Sequence, residues 1–435
     1  MPETTKDKQF FTVARVFFLL IVIPLLLMSF LIANGIFQLG DTSRKRAVTV
    51  LDQKSQEDIK VRAINVAEEV ADFLQEREKD VLIATIIPLT EAAYKEFVDK
   101  NRQPLWIKRD GKIERVSERL YTEMALIDKA GREIIKVVDG EISPGDELRN
   151  VSNPADTTYK SELYFTRTKE LSKGDIYMSH ITGWYVNRSE YEAGERFAGI
   201  IRITTPLFDK DGFSGLLSLA LDTRHLAKFT DTIIPTEPGY VFETDASKGN
   251  YAFMVDNRGL VISHPNDYHI AGFYRDGTPV PALTKETADA MTQKGEEVLN
   301  FNLAGYIDPV LPEVAENASQ GKSGIKKYAF AGNSMIMAYA PIPFFSKNYP
   351  EPSGFGWIGM SVDVEKFNEE AMKASQKIEE EAKAWTATII LILIIAVVLL
   401  FFISAVLARG ISRSIAAEVP EESLNPDQYD DEEDD

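Results

Sequence analysis

The sequence predicts an α+β protein in which two modules, each an antiparallel sheet with helical cover, follow a long N-terminal helix and lie between two transmembrane helices. Three observations predict this class. Uncharged apolar runs occupy 16–33 and 389–407 of the 435-residue chain. A long helical pattern follows the first run. Strand patterns separated by short polar turns, with helical stretches between them, fill most of the remaining sequence, which is typical of α+β proteins.

Both apolar runs are long enough to cross a membrane, because about 18–20 helical residues at ~1.5 Å each span the hydrocarbon core. Two spans put both termini on one side and the central region on the other. A cleaved signal peptide is the alternative for the first run, since Lys6, Lys8 and Arg15 precede it. Its length favours an uncleaved anchor. Basic residues flank both runs on both sides, so the positive-inside rule does not decide the orientation.

The segment from Asp41 to Leu82 predicts one helix of about 40 residues, ended by Pro88. Charged residues cover most of its surface, and a narrow apolar stripe needs a partner, either the helix's own domain or a second copy of the chain. We expect a homodimer through this helix. The stripe consists of Ile59, Ala63, Val66, Val70 and Phe73.

The first module is predicted from three segments. Residues 120–138 read as two strands around a turn at 128–131, and residues 198–222 as a hairpin turning at 209–212. Both turns end in glycine, which adopts positive φ without strain. Residues 175–186 predict shorter paired elements.

The second module repeats this theme after a boundary near 222–238. Residues 251–265 predict two strands around a turn at 256–259, and residues 324–342 predict a hairpin turning at 331–333. Residues 353–367 close the module, and 284–294 predict a helix. After residue 362, a further helix is expected to continue without interruption into the second span, forming a stiff rod.

Composition excludes several classes. The chain has no cysteine, which rules out disulfides, thiolate metal sites and cysteine nucleophiles. A net charge of −19 argues against nucleic acid as a partner. Residues 418–435 hold ten carboxylates and no basic residue, so we expect a disordered tail. A docking strip for a basic partner is the alternative.

Several segments resemble the double Cache family of extracytoplasmic sensors, found in bacterial chemoreceptors and sensor histidine kinases. In the first module these are KSELYF, LSKGDIYMSHI and the hairpin IIRITTPLFDKDGFSGLLSLALD. In the second they are FMVDNRGLVISHPNDY, the hairpin containing YAPI, and GWIGMSVDVEKF. The resemblance implies two PAS-like Cache modules outside the cytoplasm, both termini in the cytoplasm of a two-pass protein of the cell membrane, and a small-molecule ligand in the membrane-distal module.

The expected organisation divides the chain into eight parts. They are a cytoplasmic N-terminal tail (1–15), a first transmembrane helix (16–37), a stalk helix (38–85), a membrane-distal Cache module (86–230), a membrane-proximal Cache module (231–367), a juxtamembrane helix (368–385), a second transmembrane helix (386–408), and a HAMP-like start with the acidic tail (409–435).

The chain departs from the family pattern in two places. Amino-acid sensors of the family carry Arg and then Trp-Tyr where this chain has Leu163, Tyr164 and Phe165, which argues against an amino-acid ligand. Related receptors also continue after the second span into a full HAMP linker and an output domain. We therefore expect a sensor that signals through a separate cytoplasmic or membrane partner. A structural or assembly protein, a binder that does not signal and a fragment of a larger receptor are the alternatives.

By this resemblance the ligand pocket is lined by central strands of the distal module and the loop facing them. Arg202 is the sharpest candidate, because it lies in an otherwise apolar strand and a guanidinium grips a carboxylate in two hydrogen bonds. An organic anion is therefore the expected ligand. An internal ion pair of Arg202 with Asp222 or a glutamate is the alternative. The full candidate set is Tyr164, Tyr177, Ser179, Trp184, Tyr185, Arg202, Thr204 and Asp222.

No enzyme, cofactor or metal centre is expected. The chain lacks a phosphate-binding GxxxxGK[ST] loop and any recognisable Ser/His/Asp order. His264 and His269 flank Asp267, but a metal site needs ligands that converge, and this stretch has a structural use in the family.

Overall fold

The computed structural model describes residues 5–109, 112–330, 332–367 and 369–418. The acidic tail therefore lies outside the described residues, apart from its first residue, Glu418. The chain forms two compact units, Gln53–Asn368 and a second one made of Met1–Asp52 with Glu369–Asp435. The first unit contains both predicted sheets, and the second contains both predicted spans.

The predicted stalk is part of one helix, α1, which runs over Thr5–Ala84 and ends four residues before Pro88. Between Ile59 and Phe73 its whole apolar stripe is buried in the core of the chain's own folded unit. Our expectation that this stripe forms a dimer seam is wrong, because the stripe is already covered by the same chain. Packing onto its own domain is the alternative that holds.

A seven-stranded antiparallel sheet forms the first module, in the order β5-β4-β3-β9-β8-β6 with β7 also paired to β8. The predicted turn at 128–131 is present, with Gly131 at φ +87° and its N–H bonded to Asp128 O at 3.0 Å. The predicted hairpin is also confirmed. The strands are β3 (Tyr121–Asp128), β4 (Glu133–Val138), β5 (Glu141–Ile142), β6 (Tyr177–Met178), β7 (Thr182–Gly183), β8 (Gly199–Asp209) and β9 (Gly212–Asp222).

A five-stranded antiparallel sheet forms the second module, in the order β11-β10-β14-β13-β12. Both predicted strand pairs and the closing strand are confirmed. The second pair turns through Ala331, which lies outside the described residues. The strands are β10 (Asn250–Asp256), β11 (Val261–Ser263), β12 (Gly324–Phe330), β13 (Asn333–Ile342) and β14 (Gly356–Asp363).

One hairpin was missed by sequence reasoning, made of β1 (Arg102–Arg109) and β2 (Lys112–Arg119). Its strands alternate charged and apolar residues too weakly to mark a buried face. The predicted helix at 284–294 is shorter, covering Ala288–Gln293. The helices after α1 are α2 (Glu91–Lys100), α3 (Tyr164–Lys169), α4 (Arg188–Glu192), α5 (Arg224–Asp231), α6 (Ala288–Gln293), α7 (Val310–Ser319), α8 (Val364–Phe367) and α9 (Glu369–Glu418), with 3₁₀ turns at Pro154–Asp156, Ala246–Lys248, Asp267–His269 and Phe301–Tyr306.

By length and composition, two segments of the described helices are able to cross a membrane, Phe18–Ser43 in α1 and Met372–Leu407 in α9. They occur in the unit formed by the terminal segments, where the rings of Phe18 and Phe401 meet edge to face at 5.8 Å between centroids. Asn368, between α8 and α9, lies outside the described residues, so the uninterrupted rod into the second span stays a prediction.

Replacing Val70 with Glu tests the burial of the α1 stripe. Val70 is fully buried, so V70E places a carboxylate in the core and should lower the free energy of unfolding by several kcal/mol, on the order of 4. Val61, on the same helix but 44% exposed, is the matched control, and V61E should change it by less than about 0.5 kcal/mol. Denaturant unfolding of the detergent-solubilised chain, followed by tryptophan fluorescence, measures both. Equal stability of the two variants would place the stripe on the surface.

Candidate functional site

Arg202 lies at the centre of a buried charge cluster in the first sheet. Its guanidinium, on β8, forms ion pairs with Glu123 on β3 at 2.6 Å and with Glu162 at 2.7 Å. Its Nη2 donates to Thr158 Oγ1 at 3.2 Å. Its Cζ lies 4.9 Å from the centre of the Tyr164 ring. The guanidinium is therefore occupied by groups of its own chain.

The electrostatics of this cluster favour the charged forms. Burial acts to raise the pKa of Glu123, but the positive charges of Arg202 and Lys136 outweigh it and hold that pKa below its usual value. For Arg202, burial acts to lower the pKa, and the two glutamates raise it well above its usual value. The internal ion pair is thus the alternative that the geometry supports, with glutamates rather than Asp222 as partners.

Four more sequence candidates contribute to the same region as packing or hydrogen-bonding groups. Tyr164 and Tyr177 are buried in a small apolar cluster. Ser179 Oγ accepts the N–H of Arg202 at 2.9 Å and donates to the carbonyl of His180. The hydroxyls of Thr204 and Thr168 are hydrogen-bonded to each other.

Trp184 and Tyr185 join the two modules. The Tyr185 hydroxyl donates to the carbonyl of Tyr268 at 2.9 Å and accepts the N–H of Glu297 at 2.8 Å, and both partners belong to the second module. The Trp184 ring packs beside that of Tyr159 in the first module, at 5.1 Å between centroids, and Cζ of Arg275 in the second module lies 5.1 Å from its centre.

Asp222 is buried at the end of β9, on the same face of the sheet as Arg202, but the two side chains form no ion pair. Its carboxylate pairs with Arg224 at 2.6 Å and accepts the backbone N–H of the same residue at 2.9 Å. Asp222, Trp184 and Tyr185 thus have contacts other than the guanidinium of Arg202.

A cavity of about 760 Å³ lies at the junction of the two modules, and none of the eight sequence candidates lines it. This volume is typical of small-molecule sites. The hairpin β1–β2, helix α5 and the loop 232–245, which we call the junction loop, form its walls. The lining residues are Glu69, Pro104, Leu105, Trp106, Ile107, Arg115, Gly194, Arg196, Phe197, Thr223, Arg224, Ala227, Lys228, Phe229, Asp231, Thr232, Ile233, Tyr240, Phe242, Glu243, Thr244, Ile262, Pro265, Asp267 and Ile270.

Two aspartates with perturbed pKa values line this junction cavity. Asp231, the last residue of α5, accepts hydrogen bonds at Oδ1 from the hydroxyls of Ser263 (3.1 Å) and Thr230 (3.3 Å). Asp267 accepts the N–H of Phe197 at Oδ2, at 2.6 Å. Burial is the main cause that raises the pKa of Asp231 to about 7 and that of Asp267 to about 6.

Arg62 fastens the junction loop to α1. Its Nη1 donates to the carbonyls of Ile234 (2.8 Å) and Pro235 (3.3 Å) and to that of Glu237, and its Nη2 donates to the carbonyl of Gly239 (2.9 Å). One guanidinium on α1 thereby binds four backbone carbonyls of the junction loop, between its cavity-lining residues Ile233 and Tyr240. Helix α1 also contains the first candidate span.

Sequence reasoning did not find this site. Asp267 was considered only as a companion of two histidines, and Asp231 was not singled out. A carboxylate at the end of an amphipathic helix, followed by Thr-Ile-Ile-Pro at a module boundary, was the available signal. The surroundings of that position include Ser263 and Asp267, which belong to the second module, so the signal by itself was too weak.

The histidine pair has structural contacts. His264 Nδ1 accepts the N–H of Asn266 at 2.9 Å, and His269 Nδ1 lies 3.0 Å from Glu297 O. Their rings meet edge to face at 4.8 Å. Burial lowers the pKa of both. Within the described ranges, no group of three or more His, Asp or Glu side chains is arranged to hold a metal ion.

The Cache domain family matches residues 43–369, the greater part of the chain, and the chain therefore belongs to this family. No curated protein matches it. The match confirms the resemblance expected from the sequence and accounts for two sheet modules on one long helix.

Solved structures similar to this chain include a domain of a sensory box/GGDEF family protein from Vibrio parahaemolyticus, at 15% identity and a TM-score of 0.44, with 73% of this chain and 100% of that one covered. The ligand-binding domain of the Pseudomonas aeruginosa amino-acid chemoreceptor PctB, in complex with L-arginine, matches at 14% identity, 77% and 98% coverage and a TM-score of 0.40. The ligand-binding domain of the Pseudomonas fluorescens chemoreceptor CtaA, in complex with L-isoleucine, matches at 16% identity and a TM-score of 0.40, with 75% of this chain and 98% of that one covered.

Replacing Arg202 with Met tests the charge cluster. R202M leaves Glu162 buried without its cation and Glu123 with only Lys136, 3.9 Å away, and should destabilise the fold by about 3–5 kcal/mol. Arg132, whose ion pair with Asp128 is mostly exposed, is the matched control on the same sheet, and R132M should cost no more than about 1 kcal/mol. Denaturant unfolding of the full chain measures both. A stable R202M variant that loses binding of an organic anion would instead make Arg202 a ligand contact.

Proposed function

We propose that this protein is a membrane-anchored sensor that binds a small molecule outside the cytoplasm and passes the signal through its second transmembrane helix to a separate partner. It crosses the membrane of the cell twice, keeps both termini in the cytoplasm and performs no catalysis itself. The observation that carries the proposal is a Cache body, matched over residues 43–369, flanked in the chain by two helices able to span a bilayer.

The junction cavity supports ligand binding. It has the volume of a small-molecule site, and it combines aromatic walls with a few buried polar groups. We place the ligand here rather than around Arg202, because the guanidinium of Arg202 already contacts two carboxylates. The site therefore lies between the modules rather than within the distal one.

The connections of the cavity wall support signalling. Strand β14, at the centre of the second sheet, is followed in sequence by α8 and by α9, which contains the second candidate span. Arg62 ties the junction loop to α1, which contains the first span. A ligand that favours one arrangement of this loop over another could therefore shift the position of α1 or α9. A homodimer remains part of the proposal, through a surface other than the buried α1 stripe.

Single-cysteine variants test the topology, because the natural chain has none. We introduce K173C on the exposed surface of the Cache body and S423C in the acidic tail. A membrane-impermeant maleimide added to intact cells should label K173C and spare S423C, and cell lysis should make S423C reactive. Labelling of S423C in intact cells would overturn the topology.

Removal of charge from the tail tests how a partner is engaged. Replacing all ten carboxylates of 418–435 by amides preserves length and removes the charge that attracts a basic surface. If the tail is the docking site, this variant should lose the partner that co-purifies with the wild type from native membranes. Added salt should likewise release the partner from the wild-type chain. Retention of the partner at wild-type yield would assign docking to the membrane helices. Recovery of the wild-type chain without any partner would contradict signalling through a second polypeptide.

A further inference from the structure

The charges of the junction cavity are unequally paired. Of the four cations that line it, Arg196 pairs with Glu243 at 3.3 Å and Arg224 pairs with Asp222 at 2.6 Å. Lys228 donates to the amide oxygen of Gln103 at 2.8 Å, and Arg115, exposed on β2, forms no ion pair with any described residue. Asp231 and Asp267 take part in no ion pair with any described residue. The two acids therefore line the cavity without an ion-pair partner, while Arg196 and Arg224 are paired with other acids and Arg115 lies on the exposed hairpin.

Each of the two acids keeps one carboxylate oxygen for a ligand. Asp231 receives its hydroxyl bonds at Oδ1, and Asp267 receives its backbone bond at Oδ2. The remaining Oδ2 of Asp231 and Oδ1 of Asp267 make no hydrogen bond to any residue that the structure describes. An ionised carboxylate is purely an acceptor, so the missing partner is a donor, and a charged donor gives the strongest bond.

Aromatic side chains complete the wall. Their π-faces are negative and attract cations, and their carbon surface favours an apolar body. An anionic ligand beside Asp231 and Asp267 would meet two carboxylates that have no ion-pair partner, which is a repulsive arrangement. The aromatic lining residues are Trp106, Phe197, Phe229, Tyr240 and Phe242.

We propose that the junction cavity binds a small organic cation, an ammonium group on an apolar body, with Asp231 and Asp267 as its counter-ions. This assignment rests on the proposed sensor function and names its ligand class. It replaces the organic anion that the sequence led us to expect. Ligand binding would be felt by α1, because Arg62 on that helix is hydrogen-bonded to the junction loop, which lines the cavity.

Affinity for such a ligand should depend on pH. Asp231 faces Asp267, Glu243 and the hydroxyls of Thr230 and Ser263, while Asp267 faces the Phe197 N–H, Arg196 and Glu243. Burial raises the pKa of both carboxyls, so both lose their charge as pH falls through about 7 and then about 6. A bound cation favours the ionised forms, and the affinity should rise between about pH 5.5 and 8.

The test uses the full chain in detergent micelles and four probes: butylammonium, phenethylammonium, putrescine and choline. Each of the first three is matched with its neutral alcohol and its carboxylate. Thermal shift identifies binders, and calorimetry measures their dissociation constants. We expect at least one ammonium probe to bind more tightly at pH 8 than at pH 5.5, with its alcohol and carboxylate analogues inactive.

Charge-neutral variants locate the binding. D231N and D267N should each weaken that probe at least about tenfold, the effect of losing one charge-assisted bond. D146N, which removes an equal charge at an exposed position, should bind as the wild type does. If one of the two cavity variants fails to fold, the affinity of the other variant and the pH dependence of wild-type binding still test the assignment. Unchanged affinity in a folded cavity variant would overturn the assignment.

Two further outcomes separate this inference from the proposed function. A ligand of another class, found in a metabolite library while all four ammonium probes fail, would overturn the cation assignment and leave the sensor intact. Absence of any ligand from the library and the probes would overturn both.

Discussion

The burial of one face of α1 is the interaction on which the rest of the fold depends. A single apolar core contains residues of α1, of the seven-stranded sheet and of the five-stranded sheet. Each sheet needs a cover for one apolar face, and α1 contributes buried residues to the core that the two sheets share. The polar contacts of α1 follow the same arrangement, since Arg77 pairs with Asp80, which accepts the hydroxyl of Tyr121 on β3, while Arg62 holds the junction loop.

This constraint supports the proposal that a signal begins at the junction cavity. Residues 232–245 contribute no strand to either sheet, and the backbone carbonyls of Ile234, Pro235, Glu237 and Gly239 accept hydrogen bonds from Arg62 rather than from a neighbouring strand. The cavity wall is thus attached to a transmembrane-length helix through a few side-chain bonds. Such a connection is easier to rearrange than a packed sheet.

Buried charged groups are neutralised differently in the distal sheet and at the junction of the modules. Around Arg202 each charge has an opposite charge of the same chain within about 4 Å, so the cluster is satisfied without a ligand. Around Asp231 and Asp267 the carboxylates are buried with hydroxyl and backbone donors only. The first arrangement is complete without a ligand. In the second, burying an ionised carboxylate without a counter-ion costs free energy, and a bound cation would reduce that cost.

The sequence by itself determined the α+β class, the two candidate spans, the long helix and nearly all strands of both sheets. These features follow from local patterns: apolar runs of membrane length, alternation with period two, and turns such as Asp128–Gly131 that need a glycine at positive φ. Only the tertiary structure decided what covers the α1 stripe, which glutamates neutralise Arg202, and where a cavity lies. Those outcomes depend on residues far apart in the chain, as Arg202 with Glu123 and Asp231 with Asp267 show. A lone charged residue in an apolar strand has the same appearance in sequence whether its partner is a ligand or another part of the chain.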